Sequence, residues 1–398
     1  MNHYFSLSDK LFDLTEQFPE TIEVLAQLGF EAVKNDAMRK TLGKAISLEM
    51  ALKSKGLDAA QTEEALCAAI EQARPSKDAL RVEGVLPCPI RIQITERLDQ
   101  WIREHDIPVN ASLQAASMGL DHIEERVRDA KSADDLADLY LSAGFGLFFD
   151  RKLLGGYCDA GTFADMTGID HMNSFFENDK ISLKDPRNQY SILGVVPAVF
   201  MVNESLLGDR PCPRSWKDLF APEFANSVAL PVRDLDLFNA LLLGLYQAYG
   251  EEGVKAMGRS LLQSMHPAQM VKTGKKTLGN APVVTVMPYF FTLMAGEDSK
   301  LTPIWPEDGA VISPIFLLAK ASAAEKARPF AQFLGSKEMG QVFAEGGKFP
   351  STHPEVDNHL SSDKTFLWPG WDFIYSHDIG TLLVQLETMF FDASEVSA

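Results

Sequence analysis

Cys88 sits between two prolines in Leu86-Pro-Cys-Pro-Ile90, where an alternating apolar stretch gives way to a helical stripe. A thiol in the first turn of a helix lies at the positive end of the backbone dipole, which lowers its pKa and favours thiolate. Such a thiolate can ligate a soft metal, react covalently or hydrogen-bond a ligand. The plain alternative is a small buried residue in a tight turn. Four other turns carry comparable chemistry: Ala143-Gly-Phe-Gly-Leu-Phe-Phe149, Pro231-Val-Arg-Asp-Leu-Asp236, Met287-Pro-Tyr-Phe290 and Ile312-Ser-Pro314. Ligands of open α/β sheets bind outside the carboxyl ends of strands, where helix N-termini offer N–H groups and about half a positive charge to an anion.

Within these turns each candidate has a role. Arg91 and Arg233 can grip a carboxylate or phosphate in bidentate fashion. Phe145, Phe148 and Tyr289 can wall an organic ligand. Pro89 suits the first helical position, because its missing N–H has no partner there anyway. Gly144 opens its turn, and Ser313 supplies a hydroxyl to the last one. The plain alternatives are that the Phe pair is core and that Arg233 simply pairs with Asp234 and Asp236. Several enzyme templates fail. The eight histidines contain no H-E-x-x-H, so a zinc hydrolase has no support. Gly274-Lys-Lys-Thr277 resembles a phosphate loop, but the glycine it requires earlier falls at Gln269. There is no G-x-S-x-G elbow, no dinucleotide fingerprint and no acid/base couple that stands apart from solvated faces. The sequence specifies no cofactor and no metal.

The elements that must position these turns change character along the chain. Up to about residue 75 the pattern is helical: Leu11, Leu14, Phe18, Ile22, Leu25 and Leu28 recur at three- and four-residue steps. Thr21 and Ser47 fit caps or first turns, and Gly29, Gly43 and Gly56 punctuate the segment. Ala73-Arg-Pro-Ser-Lys-Asp78 reads as a linker. Leu80, Val82, Gly84 and Leu86 then alternate as a strand. Ile90, Ile94, Leu98, Trp101 and Ile102 form the buried stripe of a helix, residues 112–130 give a second amphipathic helix, and Leu139–Ala143 a second strand. Strands alternating with helices predict a mostly parallel sheet covered on both faces.

The 398 residues exceed one ordinary core. Hydrophobic residues make up 46% and charged ones 23%, as in soluble globular proteins. A formal charge of -18 repels phosphate backbones, which excludes nucleic acid as a natural partner. No apolar run reaches transmembrane length. Met1-Asn-His-Tyr-Phe-Ser-Leu-Ser-Asp-Lys10 has neither a basic start nor an apolar core, so no secretory signal is expected. The expected location is cytoplasmic, or periplasmic if a leader has been trimmed. Cys67, Cys88, Cys158 and Cys212 form no C-x-x-C pair, which fits reduced thiols.

Two blocks carry a resemblance. The first is Gly194-Val-Val-Pro-Ala-Val-Phe-Met-Val-Asn203, then Pro213-Arg-Ser-Trp-Lys-Asp-Leu-Phe220 and Val228-Ala-Leu-Pro231. The second runs from Asp308-Gly-Ala-Val-Ile-Ser-Pro314 through Phe333-Leu-Gly-Ser-Lys-Glu338 to Gly347-Lys-Phe-Pro350. Together they resemble bacterial solute-binding proteins that serve ABC transporters. The resemblance implies an α/β, two-lobed type II periplasmic-binding-protein fold with mixed sheets, preceded by an all-α N-terminal domain. The implied organisation is residues 1–75 helical, 78–192 with 310–398 as lobe 1, and 195–306 as lobe 2, with the last helix on either lobe. A small solute, anionic or organic, would be trapped by hinge closure. Ferric-binding members use paired tyrosines in the second lobe, whereas Pro288-Tyr-Phe-Phe291 has one, which disfavours iron. The implied partner is a transporter permease, or a cytoplasmic protein docking through the helical domain. The alternative is an enzyme or ligand sensor on the same scaffold. Phe18-Pro-Glu20, Leu28-Gly-Phe30, Thr41-Leu-Gly43 and Gly56-Leu-Asp58 are similar to a small helical domain found at the front of iron-sulfur-repair and related redox proteins. Glu31-Ala-Val-Lys-Asn35 stands where such relatives often carry a cysteine pair.

Overall fold

The structure, a computed structural model, describes residues 4–73, 79–105, 107–116, 119–232, 235–264, 281–295 and 300–395. The chain divides into two compact units, Met1–Ala79 with Pro108–Asn110, and Leu80–Ile107 with Ala111–Ala398.

The first unit is helical, as its periodicity predicts. Its helices include α1 (Leu11–Gln17), α2 (Thr21–Gln27), α3 (Leu48–Lys55) and α4 (Ala59–Ala73). The single long stripe expected over 11–28 is broken at Phe18, because Pro19 follows and a residue before proline is pushed out of helical geometry. Leu11, Leu14, Phe18, Leu25, Leu48, Leu52, Leu66 and Ile70 close a core of their own. Ser47 caps α3 by accepting from the Met50 N–H, and Gly56 ends that helix in the left-handed conformation at φ 64°.

The second unit holds one mixed sheet. Its strands are β1 (Leu80–Leu86), β2 (Val109–Ala115), β3 (Leu139–Ala143), β4 (Phe163–Ala164), β5 (Tyr190–Asn203), β6 (Val228–Leu230), β7 (Leu261–Ser264), β8 (Val284–Pro288), β9 (Leu301–Ile304), β10 (Ala310–Lys320) and β11 (Phe366–Leu367). The order is β2-β1-β3-β10-β5-β8-β6-β7, with β4 and β11 on β10 and β9 on β5. The helices that bear on the site are α5 (Cys88–His105), α6 (Asp121–Asp129), α7 (Phe145–Phe149), α8 (Leu235–Ser260, broken at Gly250), α9 (Tyr289–Thr292), α10 (Ala324–Leu334), α11 (Trp371–Ser376) and α12 (Ile379–Glu395). Residues 112–130 are therefore not one helix. Their first part belongs to β2, an edge strand whose residues are all at least partly exposed, so no apolar face announces it.

β5 and β10 are the spine. They pair antiparallel from Val311 against Ala198 to Leu318 against Tyr190. Almost every residue in both is buried, which explains their continuous apolar reading. Pro197 and Pro314 fall at Ile312↔Pro197 and Pro314↔Val195, two steps apart in the ladder. Both therefore occupy the same alternate class of pairs. The neighbouring Val195 N–H points away from β10, to the Pro350 carbonyl, so neither proline deprives the β5/β10 ladder of a donor. One wing of the sheet, with β1, β2 and β3, grows from one side of this spine. The other wing, with β6, β7, β8 and β9, grows from the opposite side.

Candidate functional site

Register shows where the wings aim. β1 runs parallel to β3 with Gly84 beside Leu141, and the last residue of β3, Ala143, lies opposite Ile315. In the other wing β6 runs parallel to β8 with Ala229 beside Thr285, and the last residue of β8, Pro288, lies opposite Ala198. Ile315 pairs with Gly194 and Val311 with Ala198. Both sets of parallel strands thus end on the middle of the spine, four residues apart along β5, about 13 Å at strand rise. The turns after β1, β3, β6 and β8 lead into α5, α7, α8 and α9. This is the arrangement in which α/β sheets hold ligands.

The α5 turn starts one residue earlier than expected, at Cys88, so Pro89 is the second helical residue. Pro87 offers its carbonyl to the N–H groups of both Ile90 and Arg91. Ile90 and Ile94 are fully buried. Arg91 is partly buried and has no ion-pair partner among the described residues. The Cys88 side chain lies outside the described residues, as do Arg233, Asp234 and the side chain of Asp236.

The other candidates fall into two groups. Gly144 precedes α7 with φ 129°, a conformation that a side chain would oppose. Tyr289 opens α9 and meets the Trp305 ring edge to face at 5.4 Å. Phe145 and Phe148 are not walls. Both are fully buried and pack on Phe316, at 5.9 and 5.0 Å between ring centres, and Phe145 also meets Trp368. Their place beside a glycine turn reflects core packing under β10. Ser313 is not in a turn either: it lies mid-strand in β10 opposite Val196, buried, with its Oγ unpartnered. Pro314 beside it does not interrupt the strand, because it sits where the ladder does not need its N–H.

The structure adds residues that the sequence did not single out as walls. Phe290 on α9 faces Phe349 at 6.3 Å. Phe349 follows Gly346-Gly347-Lys348, and a Cβ on Gly347 would come within 2.5 Å of both Ile90 and Phe349. Lys348 adopts φ 51°, so this turn is held in a conformation that non-glycine residues avoid. The paired glycines before an aromatic were the signal. An open groove of about 560 Å³ between α8 and α12, lined by Lys255, Val384 and Met389 among others, is too exposed to enclose a guest and lies away from these strand ends. No group of three or more metal-ligating side chains gathers among the described residues.

Residues 134–377 match the family of bacterial extracellular solute-binding proteins. The chain belongs to that family. Residues 5–61 match a domain of unknown function, DUF1858, which brings no activity with it. No curated protein matches the chain in sequence. Among solved structures, this solute-binding protein is similar to the ferric binding protein from Campylobacter jejuni at 14% identity, over 79% of this chain and 99% of that one, with a TM-score of 0.57. AfuA from Actinobacillus pleuropneumoniae, with fructose-6-phosphate bound, matches at 15% identity over 81% and 100%, also at 0.57. Iron-bound HitA from Pseudomonas aeruginosa matches at 12% over 79% and 99%, at 0.55. At such identities the likeness shows the fold, that of periplasmic binding proteins, which the two sequence blocks had indicated.

Proposed function

We propose that the guest of this solute-binding protein is a small organic anion, held where the two wings' strand ends meet. The observation that carries this reading is Arg91. It is a cation without an ion-pair partner among the described residues, in the first turns of the helix that leaves β1. An unpaired guanidinium beside a helix N-terminus favours a carboxylate or phosphate. Tyr289 and Phe290, both half-buried at the end of β8, supply aromatic walls. Pro288-Tyr-Phe-Phe291 offers one phenol, too few oxygens for a ferric ion of the kind named for the Campylobacter protein. Arg91 follows β1 of one wing and Tyr289 and Phe290 follow β8 of the other, so a guest held by all three would touch both wings and favour their closed arrangement. An ABC-type permease is the partner that family membership suggests.

Native mass spectrometry of the purified protein tests this. The expected result is a retained small organic mass that is lost in Arg91→Met. A bound iron ion, or an organic mass retained undiminished in that variant, overturns the reading.

A further inference from the structure

The last thirty described residues touch both wings, and glycines mark both attachments. The segment first runs along the spine, with Phe366 and Leu367 parallel to Ala310 and Val311. It then seats in the first wing. Trp371 packs against Phe149 and Tyr190 with ring centres 6.1 and 5.6 Å away, and the Tyr375 hydroxyl donates to Asp185, the buried carboxylate just before β5. At the start of α12, Gly380 lies so close to Asp150, the residue after α7, that a Cβ would fall 2.5 Å from its carboxyl carbon. Two turns and more further on, α12 lies on α8 of the second wing. Phe390 meets Phe238 edge to face at 5.2 Å, and a Cβ on Gly258 would fall 2.3 Å from the Phe390 carbonyl oxygen.

One continuous segment therefore spans what hinge closure would have to move. Its two seats are unequal. On the first wing the indole N–H groups of Trp368 and Trp371 are buried without partners, a cost that opposes this seating. On the second wing the contact is apolar, with Phe390 buried against Phe238. We infer that residues 366–395 act as a strap, anchored on α8 and releasable from the first wing, which holds the wings together in the absence of ligand. Opening then requires Trp371 and Tyr375 to leave their seat, while bending of β5 and β10 alone is insufficient.

Small-angle scattering and hydrogen exchange on the full chain test this with one variant at each seat. Tyr375→Phe removes a single hydroxyl and keeps the ring. Gly258→Ala pushes α12 off α8, because the clashing atom is backbone. Both variants are expected to enlarge the radius of gyration. In Tyr375→Phe, exchange in 145–159 and 371–376 should rise about tenfold, as for the loss of one hydrogen bond to a carboxylate, with β5 and β10 unchanged. Scattering curves that superimpose on the parent's overturn the strap. Faster exchange throughout β5 and β10 also overturns it, since the variants would then have loosened the whole unit.

Discussion

Burial decides what individual side chains can do here. Cys158 is buried under α7, and desolvation pushes its thiol up to about 12, whereas Cys212 is exposed. Native protein treated with iodoacetamide at pH 8 should therefore be alkylated at Cys212 and spared at Cys158, as peptide mapping would show. Asp165 shows the opposite balance. Burial pushes its pKa up, but hydrogen bonds from Lys184, Thr167 and Ser191 outweigh that and hold it below the usual carboxylate value. A carboxylate lowered by folding adds stability above its unfolded value near 3.8, and that stability is lost as pH falls through the lower folded value. Asp165→Asn should be less stable at neutral pH and show a shallower loss of stability in acid. Urea midpoints measured from pH 7 downward would check the slope, and parallel curves would refute the assignment.

At the scale of elements, close approach explains more than propensity. A Cβ on Gly84 would fall 1.8 Å from the Leu141 carbonyl oxygen, so Gly84→Ala must part β1 from β3. The expected cost is about 1–3 kcal/mol, read as a lower urea midpoint. Ser47→Ala should cost about 1 kcal/mol through loss of the α3 cap. The sequence was readable where one face decides. Leu139–Ala143 and Val228–Leu230 are strands as expected, and the apolar run up to Asn203 is β5, whose last side chain caps the helix Glu204–Leu207 by accepting from Ser205. It was unreadable where tertiary partners decide. β2 is an edge strand without an apolar face, and the buried stripe of α12 fits either lobe because it does not name its partner. Phe145 looks the same in sequence whether it faces a guest or Phe316. Phe349 owes its position to a strained turn and to Ile90, neither of which leaves a periodic trace.

At the scale of the whole chain, the first unit closes a core of its own, separate from the main core of the second, and this makes them two cooperative units. Calorimetry of the intact protein should resolve two transitions, the smaller belonging to residues 1–79. One indivisible two-state transition would contradict the division. The spine has a further consequence, for biosynthesis. β5 is complete at Asn203, but its partners lie at 284–288, 301–304 and 310–320. While the ribosome is adding those later residues, a fourteen-residue apolar ribbon waits with both edges unsatisfied. Such a ribbon invites pairing with a neighbouring nascent chain. Faster translation of residues 204–320, or a holdase that covers 190–203 until residue 320 emerges, should raise the yield of soluble protein in cells.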